Sequence, residues 1–400
     1  MSKRKLYTHT FVSILAALAL MNFASCSKNE DQIIKVGILH SKTGNMANSE
    51  KAVMQAELLA IEELNASGGV LGHEIVPIIE DGESNAAIFG KKATKLIEED
   101  GVATIFGCWT SDSRKAVKMV VEDHYNLLWY PLQYEGMEAS PNIVYTGAAP
   151  NQQIVPAIDF CFENLGKRMY LLGSDYVFPQ TANRIIKAQL KHLKGTVCGE
   201  SYVSMNEKNF RYIIQDIIKA KPDIIINTLN GDSNAAFFDQ LRSAGITSDK
   251  IPVMSFSIDE NTIADIGAEN CKGNYVSWSY FGTIEGSSNN RFKESYRKKY
   301  GADSKVGDPI EAAYMAVFLW AAACEKAETF EIEPIRIACK GLSYIAPEGM
   351  ITIEGSNQHL NKKVRIGVIQ ADGSIKEIFS TPKPVRPDPY LSTYAWARGL

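Results

Sequence analysis

Two short stretches hold the side chains best suited to gripping a small molecule. They are Gly107-Cys108-Trp109-Thr110-Ser111 and Trp129-Tyr130-Pro131-Leu132-Gln133-Tyr134-Glu135-Gly136. Aromatic faces beside a few hydroxyls and amides suit something small, planar and hydrogen-bonding. Each stretch follows a short apolar run, Ala103-Thr104-Ile105-Phe106 or Leu127-Leu128, and so reads as a loop leaving a buried strand. Neither spaces a nucleophile, a base and an orienting group as covalent catalysis needs.

Two further junctions are polar where a strand gives way to a helix. In Gly173-Ser174-Asp175-Tyr176-Val177-Phe178-Pro179, a binding role places Tyr176 and Phe178 against a ligand. The competing reading makes Ser174 or Asp175 a helix cap and the rings packing. The two readings balance for Phe178, while the hydroxyl of Tyr176 favours binding. In Asn227-Thr228-Leu229-Asn230-Gly231-Asp232-Ser233-Asn234, Asn230 and Asp232 are candidate acceptors, with capping by Asp232 or Ser233 an equal alternative. Glu50, expected in an exposed loop before the first helix, is a secondary candidate.

No Walker loop, G-x-G-x-x-G, H-E-x-x-H or G-x-S-x-G occurs. His40, His73, His124, His192 and His359 are scattered, and the seven cysteines include no C-x-x-C pair. A zinc site is therefore not expected, and neither is a cofactor or enzymatic activity. Cys108 and Cys324 read as buried structural thiols.

These loops must be positioned by a β–α alternation that runs twice. The first series is Ile33–Leu39, Ile75–Ile79, Thr104–Phe106 and Leu127–Tyr130, with helices between. The second is Arg168–Leu172, Val197–Val203, Ile224–Thr228 and Val253–Phe256. Apolar strands without inside–outside alternation, joined by helices, predict parallel sheets covered on both faces. At 400 residues the chain exceeds one ordinary core, so two α/β lobes are expected. Ligands bind at the carboxyl ends of such strands, which puts the four loops in a cleft between the lobes. Met350–Ile353 and Val364–Ile369 read as a closing hairpin.

The N-terminus has a charged Lys3-Arg4-Lys5, an apolar run from Phe11 to Met21, and then Ala24-Ser25-Cys26. This is the layout of a secretory signal in its lipoprotein form, with Cys26 as the lipidated first residue. Residues 1–25 are then the signal and 26–32 a polar tether. Losing three basic residues leaves 39 basic against 46 acidic, a net charge of −7 in place of −4. No basic blocks form, so nucleic acid is not an expected partner. The expected lobes are 33–149 with about 279–349, and 150–278 with about 350–384. Residues 385–400, proline-spaced, are expected to form an extended tail on the surface.

The two aromatic stretches, with Ser140-Pro141-Asn142-Ile143, Tyr145 to Gln153, 173–179, 227–234 and the tail Arg386-Pro387-Asp388-Pro389-Tyr390, carry a resemblance. From about Ile33 onward the chain resembles the urea-binding lipoproteins of ABC transporters. These belong to the type I periplasmic-binding-protein superfamily, near the short-chain-amide sensor and the branched-chain amino-acid binders. The resemblance implies a binder held outside the cytoplasm by Cys26, closing on urea and serving membrane-embedded permease subunits. It implies ligand contacts at Trp109, Ser111, Tyr130, Leu132, Gln133, Tyr176 and Phe178. The amide sensor differs at Trp109 and Phe178 (tyrosines) and at Leu132 and Gln133 (threonine and proline). Amino-acid binders carry an acid near Ser257, where this chain has none. Binding of short amides or branched-chain amino acids, or amide sensing, are the alternatives.

Overall fold

The computed structural model describes residues 32–400; the expected signal, Cys26 and most of the tether lie outside them. The first sheet is formed by β1 (Ile33–His40), β2 (Glu74–Asp81), β3 (Ile105–Gly107), β4 (Leu128–Tyr130) and β5 (Ile143–Tyr145). Its order is β2-β1-β3-β4-β5, and every pairing is parallel. The second sheet begins with β6 (Arg168–Ser174), β7 (Thr196–Val203), β8 (Ile224–Thr228), β9 (Val253–Ser255) and β10 (Tyr275–Trp278). Their order, β7-β6-β8-β9-β10, repeats that of the first sheet strand for strand. The restart read in the sequence is thus a restart of topology.

Side-chain alternation explains why both faces are covered. Leu39, Ile105, Leu128 and Tyr130 enter one core of the first lobe, while Ile38, Phe106, Trp129 and Val144 enter the other. In the second lobe Tyr170, Leu172 and Ile225 face one way, and Met169, Leu171 and Ile226 the other. Helices seal each face, as a parallel sheet requires.

The expected hairpin does not form. After β11 (Ser343–Ala346), the strand β12 (Gly349–Ile353) pairs with β11 and with β13 (Leu360–Asn361). The strand β14 (Arg365–Ile369) instead joins β10 and β15 (Ile375–Ser380), both antiparallel, at the edge of the second sheet. Ile351, Ile353 and Leu360 pack into the first lobe, so the chain changes lobes after residue 361 rather than near 350. Both strands are short and apolar, and only tertiary packing distinguishes their partners.

Three segments cross between the lobes, after β5, after β10 and before β14. Lys362 and Arg365 tie them together. Lys362 Nζ donates to the Thr146 carbonyl at 3.0 Å and pairs with Glu348 at 2.7 Å. Arg365 Nε donates to the Ser279 carbonyl at 2.8 Å. The tail lies against the first crossing, where Asn151 Nδ2 donates to the Arg386 carbonyl at 2.8 Å. It does not stay on the surface throughout, because Leu391 and Ala397 are buried in the second lobe.

Candidate functional site

In a sheet of order 2-1-3-4-5, the strand ends diverge between the first and third strands and leave a crevice there. The loops after β1 and β3 flank this point in the first lobe, and those after β6 and β8 in the second. Trp109 follows β3 and Asn230 follows β8, so the two stand at equivalent positions of the repeated fold.

Local geometry aims Trp109. Cys108 is left-handed at φ 68°, and Gly107 lies so close to β1 that a Cβ would stand 2.1 Å from the Leu39 carbonyl oxygen. The chain therefore turns abruptly out of β3. Thr110 then caps the helix Ser111–Asp123 by accepting from the Ser113 amide at 3.2 Å.

Trp109 and Gln133 each reach from the first lobe to the second. Trp109 Nε1 donates to Asn230 Oδ1 at 3.4 Å, and Gln133 Nε2 donates to the Phe256 carbonyl at 3.0 Å. Gln133 Oε1 is buried without a hydrogen-bond partner. The Tyr130 hydroxyl donates to the Trp109 carbonyl at 2.8 Å, and that of Ser257 donates to the Leu229 carbonyl at 2.8 Å. Asn230 is fixed by its amide, which donates to Ser174 Oγ at 3.1 Å. Tyr176 is half-buried. Burial, then Tyr130 and Glu135 across the cleft, push its phenol well above the usual range, so its proton stays on.

Of the expected residues, Trp109 meets Asn230 across the lobes and Gln133 reaches Phe256 next to Ser257. Tyr130 holds the Trp109 carbonyl and acts electrostatically on Tyr176, and Ser111 bonds within its own lobe. The other four are placed differently. Leu132 is buried in the first lobe's core and Phe178 in the second's, which for Phe178 is the packing alternative. Asp232 is half-buried at the start of the helix Ser233–Ser243 and caps nothing. Glu50 is neither exposed nor in a loop. It sits buried in the first turn of the helix Ala47–Ala66, which starts four residues earlier than expected. Its Oε2 accepts from the Ser41 amide at 2.7 Å and lies 3.3 Å from His40 Nδ1. Burial works against charge on His40, but Glu57 and Glu50 raise its pKa to about 10.

Behind Ser111 lies a charged network absent from the expected set. Ser111 Oγ donates to Glu135 Oε2 at 2.5 Å and accepts from Arg114 Nη1 at 3.1 Å. Arg114 also donates from Nη2 to Glu135 Oε1 and from Nε to Glu138 Oε1, each at 2.9 Å. Its guanidinium lies over Tyr134, 4.6 Å from the ring centroid. Burial opposes its charge, but Glu135 and neighbouring groups hold its pKa well above the usual value. Two signals were available in the sequence: an acid in a stretch with three aromatics (Glu135), and an arginine one helical turn after Ser111.

Among the described residues, no group of three or more His, Cys, Asp or Glu side chains is arranged to hold a metal ion, and all six described cysteines are unpaired. No described helix is long and apolar enough to cross a membrane. An open groove of about 810 Å³ beside Thr283, Lys363 and Arg365 shares no residue with the strand-end group.

A family model described as "Periplasmic binding protein domain" matches residues 34–395. The chain is 23% identical over 373 residues to "Leu/Ile/Val-binding protein homolog 7" of Brucella melitensis, covering 86% of this chain and 91% of that protein. A shorter match, 27% over 127 residues, is to a protein named limonene hydroxylase from Geobacillus stearothermophilus; the chain spans only 23% of that protein's length. Among solved structures, an amino acid ABC transporter substrate-binding protein from Pseudomonas fluorescens superposes with a TM-score of 0.78 at 21% identity, covering 89% of this chain and 97% of its own. A solute binding protein of an ABC transporter from Rhodopseudomonas palustris, in complex with 3,4-dihydroxybenzoic acid, gives 0.79 at 20% identity, covering 89% and 98%. The two-lobe architecture and the near-complete match of the family model lead to one conclusion: the chain belongs to the periplasmic binding protein family.

Proposed function

We propose that this protein is the solute-binding component of an ABC transporter, held outside the cytoplasm by lipid on Cys26, and that it captures urea between its lobes for the permease. The observation that carries the ligand is the direction of the protons at the interlobe face. Gln133 spends one N–H on Phe256 and keeps an unpartnered carbonyl oxygen. Tyr130 and Ser257 spend their protons on backbone carbonyls, so their oxygens can only accept from a ligand. A face of acceptors asks for a ligand rich in N–H donors. Urea offers four N–H bonds and one carbonyl on a flat frame, and Tyr176 keeps a proton for that carbonyl. Trp109 supplies an aromatic wall.

One relative is named for leucine, isoleucine and valine, and one protein of similar fold was solved in complex with an aromatic acid. Those ligands carry a carboxylate, which needs donors that the Tyr130 and Ser257 hydroxyls do not offer. A thermal-shift panel with urea, acetamide, leucine and 3,4-dihydroxybenzoate separates the readings. A ligand at about 100 times its Kd stabilises by about 2.7 kcal/mol, a shift of several degrees. Urea should give the largest shift; a larger one from acetamide or leucine replaces urea with that ligand.

A further inference from the structure

We infer that Arg114 and Glu135 act as positioning residues that lock the Ser111 hydroxyl as an acceptor, so that the site rejects carboxylates of the same size and shape as its proper ligand. This deepens the proposal above and rests on its placement of the ligand at the interlobe face.

Proton accounting around Ser111 leaves one arrangement. A guanidinium can only donate and an ionised carboxylate can only accept. Ser111 Oγ lies 2.5 Å from Glu135 Oε2 and 3.1 Å from Arg114 Nη1, and Arg114 Nη2 closes the ring on Glu135 Oε1 at 2.9 Å. The single hydroxyl proton therefore points at Glu135. One Ser111 lone pair is taken by Arg114, and the other is left for a ligand. Only a donor can use it.

The arrangement is held from behind. Arg114 is fully buried, and Glu138 Oε1 fixes its Nε at 2.9 Å while also accepting from the Tyr145 hydroxyl at 3.0 Å. Turning the Ser111 proton toward a ligand would strip Glu135 of a donor inside the protein, a cost on the scale of an unmade hydrogen bond to a charged group. A carboxylate reaching Ser111 would also face the negative charge of Glu135 one hydrogen bond away. Acetate and urea have the same planar four-heavy-atom frame and differ in donors and charge, so they isolate this effect. Sites that demand a donor reject isosteres lacking one by large factors, because their buried acceptors go unpaired.

The test is titration calorimetry of the mature chain and two variants with urea, acetamide and acetate near neutral pH. Wild type should bind urea, and bind acetate at least about a hundredfold more weakly. In Glu135→Gln the new amide can donate to Ser111 and free its proton for the ligand. Acetate binding should then strengthen about tenfold or more while urea binding weakens. Ser111→Ala removes the lone pair without freeing a proton, so it should weaken urea and leave acetate excluded. This second variant keeps the test decisive if Glu135→Gln fails to fold. A folded Glu135→Gln with an unchanged urea-to-acetate ratio, or a Ser111→Ala that binds urea normally, overturns the inference and leaves the binding proposal standing. Failure of wild type to bind either urea or acetamide overturns the binding proposal itself.

Discussion

The indole N–H of Trp109 reaches Asn230 Oδ1 at 3.4 Å, joining the end of β3 to the end of β8 across the cleft. These are the third strands of two sheets built in one order, so the contact links corresponding points of a duplicated framework. It forms only when the lobes are together, and it therefore contributes to closure rather than to the stability of either lobe.

Trp109→Phe keeps the aromatic wall and removes this donor, leaving Asn230 Oδ1 buried without a partner. An unmade buried hydrogen bond costs about 1–3 kcal/mol. Urea affinity should fall about tenfold by calorimetry, with the unfolding midpoint nearly unchanged. An equal loss of midpoint and affinity would mean that Trp109 serves the fold instead.

Arg114→Met leaves Glu135 and Glu138 buried without their shared cation. Breaking a buried pair from one side costs about 3–5 kcal/mol. Guanidinium denaturation should register a loss of that size, and guanidinium is the right denaturant because urea is the proposed ligand. A loss below about 1 kcal/mol would place the network among weak surface pairs.

Gly147 passes so near the Gln133 loop that a Cβ would lie 2.0 Å from the Leu132 carbonyl carbon and 2.5 Å from the Gln133 nitrogen. Gly147→Ala must displace that loop, and with it the Gln133 contact to Phe256. Ligand binding should drop at least about tenfold, since small displacements of a binding group are costly. Normal binding would mean that Gln133 does not hold the ligand.

Burial pushes Glu260 up to about 8, with Asp259 adding to the effect. Its Oε1 accepts from the Gly282 amide at 2.7 Å, and its Oε2 has no partner. Folded, this carboxyl binds its proton more tightly than at its ordinary 4.5. Its contribution to stability is therefore complete below 4.5 and is lost as pH rises to about 8. Glu138 has the opposite sign: burial raises it, but Arg114 and Lys115 outweigh that and hold it near 2. Its contribution is present above 4.5 and fades as pH falls toward 2. Glu260→Gln should flatten the decline in guanidinium midpoint between about pH 5 and pH 8. An unchanged decline would assign it to other groups.

Much of the fold was legible because buried parallel strands such as Ile224–Thr228 are apolar throughout, and because their series visibly restarts. The partners of β12 and β14 were not, since two short apolar strands near a turn can pair with each other or apart. At the site, Trp109, Gln133 and Asn230 could be read from the rule that strand ends hold ligands. Arg114 and Glu135 could not be paired, because their meeting depends on how the helix Ser111–Asp123 is rotated against the loop after β4. Glu50 was misplaced because its helix starts earlier than propensity suggested, and burial then gave it His40 as a partner.

The most direct measurement is calorimetric titration of urea into protein lacking residues 1–26. The best small ligands reach about 1.5 kcal/mol per heavy atom, so four atoms cap urea near ~6 kcal/mol, a Kd of tens of micromolar. One saturable site is expected at or somewhat above that Kd, with acetamide weaker and acetate and leucine silent. Absence of heat with urea, or tighter binding of leucine or an aromatic acid, would contradict it.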